Sequence, residues 1–261
     1  MIPAVIKRRH LSFAIVEQTP STNCPCTIDA MIPAVMNRRH LAFAFVLGLL
    51  LSATSLTQQR SKPAPTTLRI YLARHGQTDW NLEGRTQGGI DIQLNATGRE
   101  QARQLKTRLA GIPLDAVYSS TLRRSRETAE IVHGDTPLTS LPGLAERRFG
   151  KFEGGPTNDP DLQRRRWIPE DSLDGGESLN VLRERVRTTL DTIRKQHASG
   201  TILIVGHDYM NRMILSVMFG LSVEQMQSFD QANDELYLIE LDANNPPRLW
   251  KQITQANIKD L

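Results

Sequence analysis

Two short apolar runs, each ending on a histidine, constrain this chain more than anything else in it. Residues 201–205 (TILIV) form an unbroken run rich in β-branched side chains, the pattern of a strand buried on both sheet faces. Residues 68–73 (LRIYLA) form a second short apolar run. It feeds Arg74-His75-Gly76, as the first feeds Gly206-His207. Between and beyond them lie amphipathic stretches. Residues 97–110 place Ala102, Leu105 and Leu109 at helical spacing, and the pattern predicts a helix opened by Thr97 and ended by Gly111-Ile112-Pro113. A strand is expected at Asp115–Tyr118 and a helix over 121–133. From Ser178 to about His197 a longer helix is expected, with Leu179, Leu182, Val186, Leu190 and Ile193 on one face. A helix over 209–219, a strand over 235–241 and an edge strand over 248–254 complete the pattern. Strands alternating with helices imply an α/β layered domain with a mostly parallel sheet. Such sheets bind ligands beyond the carboxyl ends of their strands, where His75 and His207 both fall.

The first 55 residues read differently. Residues 31–46 repeat residues 1–16 with twelve of sixteen positions identical, too short for a solenoid unit, so a duplicated segment or a true start at Met31 is the favoured account. From Met31, a basic stretch (Asn37-Arg38-Arg39-His40) precedes the apolar run 41–51 and the small residues Ala53-Thr54-Ser55, the order of a secretory signal peptide. Export to the periplasm or medium is therefore expected, without stable membrane insertion after cleavage. The alternative is an uncleaved single-pass anchor, although the apolar run is shorter than the ~20 residues a spanning helix needs. Residues 56–67 read as a polar, proline-bearing linker, and 68–261 as the folded domain. The leader carries +3 of the chain's net charge of +4, so the body stands at +1 and non-specific binding of nucleic acid is not expected. Both cysteines, Cys24 and Cys26, lie in the leader, so the body has no thiol for nucleophilic, disulfide or metal chemistry.

Arg74-His75-Gly76 alone is a weak signal. Taken with the segments downstream of it, the triplet becomes a strong one. The run from Arg74 to Asn81 is followed by Gln87-Gly88, Asp91 and residues 94–98, then by Tyr118–Arg124 with Thr128-Ala129. Leu144-Ala145-Glu146, Phe149-Gly150, Glu153-Gly154, Gly175–Ser178 and Val205-Gly206-His207 complete the series. In this order, over residues 68–242, the blocks resemble the histidine phosphatase (phosphoglycerate mutase-like) superfamily. The resemblance implies a three-layer α/β/α sandwich with a mostly parallel central sheet. It also implies metal-independent phosphomonoester hydrolysis of a small phosphorylated molecule through a phosphohistidine, with no cofactor. By the same resemblance His75 is the nucleophile, Arg74, Arg124 and His207 hold the phosphoryl oxygens, and Glu146 is the proton donor. Asn81 and Gln87 look like additional phosphate contacts.

The residue types suit that chemistry in their own right. A phosphoryl group in transfer carries its charge on equatorial oxygens, so catalysis is mainly positioning and electrostatic stabilisation. Guanidiniums supply rigid, permanently charged forks, and a neutral imidazole is a nucleophile near physiological pH. No metal is called for: the chain has no HExxH, no metal-spaced Asp/His cluster and no Walker-type loop. Arg123, Arg126 and the run Arg164-Arg165-Arg166 are expected to face solvent, the alternative for the run being a place over the pocket reading acidic substrate groups. Glu177 is expected to support the Gly175-Gly176 turn and the first turn of the next helix. The sequon Asn95-Ala96-Thr97 is taken as fortuitous. One position departs from the family pattern, Asp208 where glycine is common, and it is expected to cap the helix from 209 and point away from phosphate. The short stretch from Glu146 to His207 lacks the insertion of the glycolytic mutases, which favours hydrolysis. Mutase-type transfer and a non-catalytic phosphate binder are the alternatives.

Overall fold

The computed structural model describes residues 67–252 and 258–260. The leader, its duplicated segment, the signal-peptide reading and nearly all of the linker lie outside the described residues; the linker's last residue, Thr67, already belongs to the first strand. Among the described residues no helix is long and apolar enough to cross a membrane.

The framework is a seven-stranded sheet of order β3-β2-β4-β1-β5-β6-β7. Its strands are β1 (Thr67–Arg74), β2 (Ala116–Ser119), β3 (Leu138–Ser140), β4 (Gly200–Gly206), β5 (Leu236–Asp242), β6 (Asn245–Gln252) and β7 (Ile258–Asp260). β1 to β4 are mutually parallel, β5 runs against β1, β6 turns back and β7 turns again, so five of the seven strands share one direction. The expected edge position of β6 is corrected, because β7 pairs along its outer side.

Period-two alternation builds the layers. In β4, Ile202 and Ile204 enter one core and Leu203 and Val205 the other. The helices include α1 (Asp79–Leu82), α2 (Ala96–Arg108), α3 (Arg123–Val132), α4 (Pro160–Arg165), α5 (Leu179–Gln196) and α6 (Asp208–Phe219); α5 and α6 close the first core, α2 and α3 the second. An unbroken apolar run is thus what a strand covered on both faces requires. Every residue of the predicted stripe on α5, from Leu179 to Ile193, is buried. The start of α2 differs from expectation. Asn95, not Thr97, is the cap, its side chain accepting from the Gly98 N–H at 2.9 Å. Asn95 also donates to Gln77 Oε1 at 3.0 Å, which gives the sequon asparagine a structural task.

Candidate active site

Register puts the two histidines side by side. Arg74 of β1 pairs with Gly206 of β4, and the His75 N–H donates to the Gly206 carbonyl at 3.0 Å. Each chain segment then leaves its strand with a histidine, and the two rings lie 5.1 Å apart at 57°. Gly76 follows His75 because a side chain there would strike the Gly98 backbone where the loop crosses the start of α2.

The two rings hold opposite tautomers. His75 Nδ1 is 2.7 Å from the Gly76 carbonyl, which can only accept, so Nδ1 carries the proton and Nε2 keeps its lone pair. Around His207 the logic reverses. Arg124 Nε–H donates to His207 Nδ1 at 3.2 Å, so the proton sits on Nε2 and is donated to Ser120 Oγ at 2.7 Å. Burial holds both histidines well below the ordinary 6.5, and the Arg124 and Arg74 cations push further in the same direction.

Arg124 is wholly buried, and its Nη1 and Nη2 donate to the Ile90 and Gly88 carbonyls, both at 2.8 Å. With one N–H on His207, two of its five donors have no partner among the described residues. Burial lowers its pKa to about 10, which leaves the cation intact at neutral pH. Arg74 Nη1 donates to the Gln231 carbonyl at 2.8 Å, and its buried Nε has no partner among the described residues.

Glu146 lies in the loop that follows β3, and its carboxylate meets the first backbone N–H groups of α6. Its Oε1 accepts from the Arg147 and Met210 N–H groups at 2.8 and 3.1 Å, and Oε2 accepts from the Tyr209 N–H at a longer 3.3 Å. Burial raises its pKa, with the Asp208 carboxylate adding to the effect and the N–H groups opposing it. A carboxyl that stays protonated above the usual range can act as an acid.

These groups open into a cleft of about 370 Å³, lined by Arg74, His75, Arg124 and Glu146 at its inner part. Asn81 and Gln87 line it too. The Oδ1 of Asn81 accepts from the N–H and hydroxyl of Thr78, both at 3.0 Å, which leaves its amide Nδ2 for a ligand. Gln87 Oε1 is buried without a partner among the described residues. His207 does not reach the cleft wall directly; it lies behind His75, wholly buried.

Several expectations need correction. Asp208 does not cap the helix: His207 occupies the cap, Asp208 is the first helical residue, and its carboxylate pairs with Arg212 one turn on at 2.8 Å. It lines the cleft rather than pointing clear of it. Ser178 caps α5, and Glu177, expected to support the Gly175-Gly176 turn and the first turn of that helix, instead grips Arg185 with both oxygens at 2.9 and 2.6 Å. Arg185 in turn holds the Gly143 and Ala145 carbonyls, so this pair braces the segment that carries Glu146. In the arginine run, Arg164 pairs with Asp161, and Arg165 with Asp161, Asp171 and Asp174 at the surface. Arg166 turns into the cleft instead. Arg123 and Arg126 lie on the exposed side, as expected.

Four supporting residues carry no clear signal in the chain. Arg147 is wholly buried, and its guanidinium donates to the carbonyls of Arg166, Asp171 and Glu177. Gln231 and Asn233 come from the loop before β5, where Gln231 holds Arg74 and the Asn233 amide donates to the His75 carbonyl at 2.7 Å. Asn211 joins Gln231 to the end of β1. Ser120 had a signal, since it sits inside the Tyr118–Arg124 block, but nothing local tied it to His207.

Adjacent strand ends that present an unprotonated imidazole nitrogen, two arginines and a buried carboxyl define an α/β protein equipped for phosphoryl transfer. Comparison with known proteins makes the assignment specific. Residues 70–252 match the model of the histidine phosphatase superfamily (branch 1), and the chain belongs to that superfamily as a phosphatase enzyme. It is 29% identical over 200 residues to phosphoserine phosphatase 1 of Hydrogenobacter thermophilus, covering 72% of this chain and 93% of that one. It is 32% identical over 153 residues to the uncharacterized phosphatase PhoE of Bacillus subtilis, covering 58% of this chain and 77% of the relative. Among solved structures, the phosphoserine phosphatase of Entamoeba histolytica in complex with 3-phosphoglyceric acid superposes with a TM-score of 0.64 at 27% identity. That match covers 72% of this chain and 98% of that one.

Proposed function

We propose that this chain hydrolyses small phosphomonoesters through a phosphohistidine formed on Nε2 of His75, without a metal. The observation that carries the reading is the tautomer of His75: the Gly76 carbonyl fixes the proton on Nδ1, so the other nitrogen is a ready nucleophile among two cations.

In the first half-reaction the Nε2–P bond forms as the ester P–O bond breaks, and the Glu146 proton passes to the leaving oxygen. Water then attacks phosphorus and returns a proton to Glu146, and inorganic phosphate leaves with His75 restored. Arg74 and the free donors of Arg124 neutralise the equatorial oxygens, where charge stabilisation counts most. Asn81 and Gln87 add neutral contacts from the loop side. His207 supports the site through Arg124, its Nδ1 accepting from the Arg124 Nε–H at 3.2 Å and so orienting the guanidinium whose free donors face the phosphoryl oxygens. Export directed by residues 31–55 belongs to the same reading on sequence grounds, and a secreted chain beginning near residue 56 is the expected result of N-terminal sequencing.

The test uses the full chain with p-nitrophenyl phosphate and 3-phosphoglycerate, with and without EDTA. Phosphate release unaffected by chelation is expected, together with an acid-labile, base-stable phosphoenzyme on rapid quenching. His75→Ala should lower kcat/KM by on the order of 10³-fold or more. Wild-type turnover in that variant sinks the proposal, and isomerisation of 3-phosphoglycerate without net release replaces it with mutase chemistry.

A further inference from the structure

One acid of the motif series has no part in the chemistry above: Glu153, of Glu153-Gly154. It is partly buried and does not line the cleft. Its Oε1 accepts from the Gly89 N–H at 2.8 Å and from the Phe149 N–H at 2.9 Å. Backbone bonds bring it there, since Gly154 N–H donates to the Thr86 carbonyl and Thr86 N–H to the Gly155 carbonyl, both at 2.8 Å. A single carboxylate oxygen thus ties two parts of the cleft wall. Gln87 and Gly88 line one part, and Phe149, three residues after Glu146, lines the other.

The turn at Gly88 has a task of its own. The carbonyls of Gly88 and Ile90 each accept one guanidinium N–H of Arg124 at 2.8 Å, so the shape of this turn sets where that fork points. By itself the turn is soft. Gly88 and Gly89 are consecutive, Gly88 sits at φ +51°, and glycine gives up more backbone freedom on ordering than any other residue. The Ile90 N–H closes on the Gln87 carbonyl at 3.0 Å, but that bond leaves the Gly89 N–H to find its acceptor elsewhere. Glu153 is that acceptor, and a carboxylate holds an N–H more strongly than a neutral oxygen does. It also fills the space beneath the turn, because a Cβ on Gly88 would lie 2.1 Å from Glu153 Oε1. Its charge supports the buried Arg124 cation against the cost of desolvation.

We propose that Glu153 is a positioning residue for phosphoryl transfer, clamping the Gly88–Ile90 turn so that Arg124 keeps its remaining donors aimed at the phosphoryl oxygens. The inference rests on the phosphatase reading and adds to it a residue that stands outside the cleft. Coupling distinguishes such a clamp from a simple loop pin. A pin that serves stability alone lowers activity by the same factor in every background. A clamp on Arg124 has nothing left to orient once a lysine ammonium replaces the planar fork.

The test measures kcat/KM on p-nitrophenyl phosphate for Glu153→Ala, Glu153→Asp and Glu153→Gln in the full chain, each with and without Arg124→Lys. Calorimetry with inorganic phosphate accompanies it. Glu153→Ala should lose about 30-fold, and Glu153→Asp, which withdraws the oxygen by one methylene, about tenfold. Glu153→Gln keeps an acceptor in place and should stay within about fivefold. In the Arg124→Lys background each further loss should shrink to about threefold or less. Losses that persist in full in that background overturn the proposal. So does wild-type turnover in Glu153→Ala, or a Glu153→Gln variant as weak as Glu153→Ala. If thermal melting shows Glu153→Ala unfolded, Glu153→Asp carries the same cycle under the same criterion. If the wild type releases no phosphate, the phosphatase reading falls and phosphate binding decides the clamp. Weaker binding in Glu153→Asp that disappears as a difference in the Arg124→Lys background supports it, and binding equal to wild type overturns it.

Discussion

Ser120→Ala tests whether His207 works as a positioned ring or as filler beside His75. The serine hydroxyl accepts the Nε2 proton of His207 at 2.7 Å, and both residues are fully buried. Alanine removes the acceptor and leaves a buried N–H that water cannot reach. Such an orphan costs about 1–3 kcal/mol. Because the bond is short and wholly desolvated, about 2 kcal/mol is the reasoned value, equivalent to ~30-fold in a rate constant. In a domain of this size the same loss lowers Tm by about 4–8 °C. The cost should divide, because the other ring nitrogen still accepts from Arg124 at 3.2 Å and keeps the ring from leaving its place. The assay is kcat/KM on p-nitrophenyl phosphate with thermal melts, carried through a double-mutant cycle with His207→Gln. Coupling of about 1 kcal/mol or more is expected for groups in direct contact. Additivity within about 0.3 kcal/mol would refute the claim that the serine acts through His207.

Burial keeps His75 and His207 neutral below 6.5, while Glu146 stays protonated above 4.5, so kcat/KM should peak on the acid side with its basic limb set by Glu146. Asp208→Asn removes the like charge that helps raise Glu146, so that limb should move to lower pH, and an unmoved limb contradicts the assignment. The histidines also give stability a direction: their folded pKa values are depressed, so the stabilisation of the neutral rings is complete above 6.5 and declines as pH falls towards the folded values, read by urea melts at stepped pH. Arg124→Lys keeps the charge but cannot span the Gly88 and Ile90 carbonyls and His207 together, so a loss of roughly 100-fold or more in kcat/KM is expected. Wild-type kinetics in that variant would show that charge alone suffices.

The layered fold was legible because burial on two faces leaves a simple trace: Ile202 to Val205 had to be apolar throughout, and the stripe on α5 had to recur at helical spacing. The reversal of β5 against β1 left no such trace, since a buried strand has the same composition in either direction. Residues at strand ends were legible for the same reason as the strands. Side-chain destinations were not. Arg165 and Arg166 are neighbours of one type, yet one meets Asp171 and Asp174 and the other turns into the cleft. Asp208 reads equally well as a cap or as a first-turn acid, and only the position of Arg212 and the turn at His207 separates the two.

By itself, then, the sequence determined the alternation of strands and helices, the two histidines at strand ends and the set of residue types that phosphoryl transfer needs. The tertiary structure alone decided which nitrogen of each histidine carries the proton, which arginines keep free donors and which polar groups are left without partners on the cleft wall. The physical reason is range. Periodicity and strand termination are set by neighbours along the chain, whereas tautomer, pKa and satisfaction depend on groups such as Ser120 and His207, brought together by register from 87 positions apart.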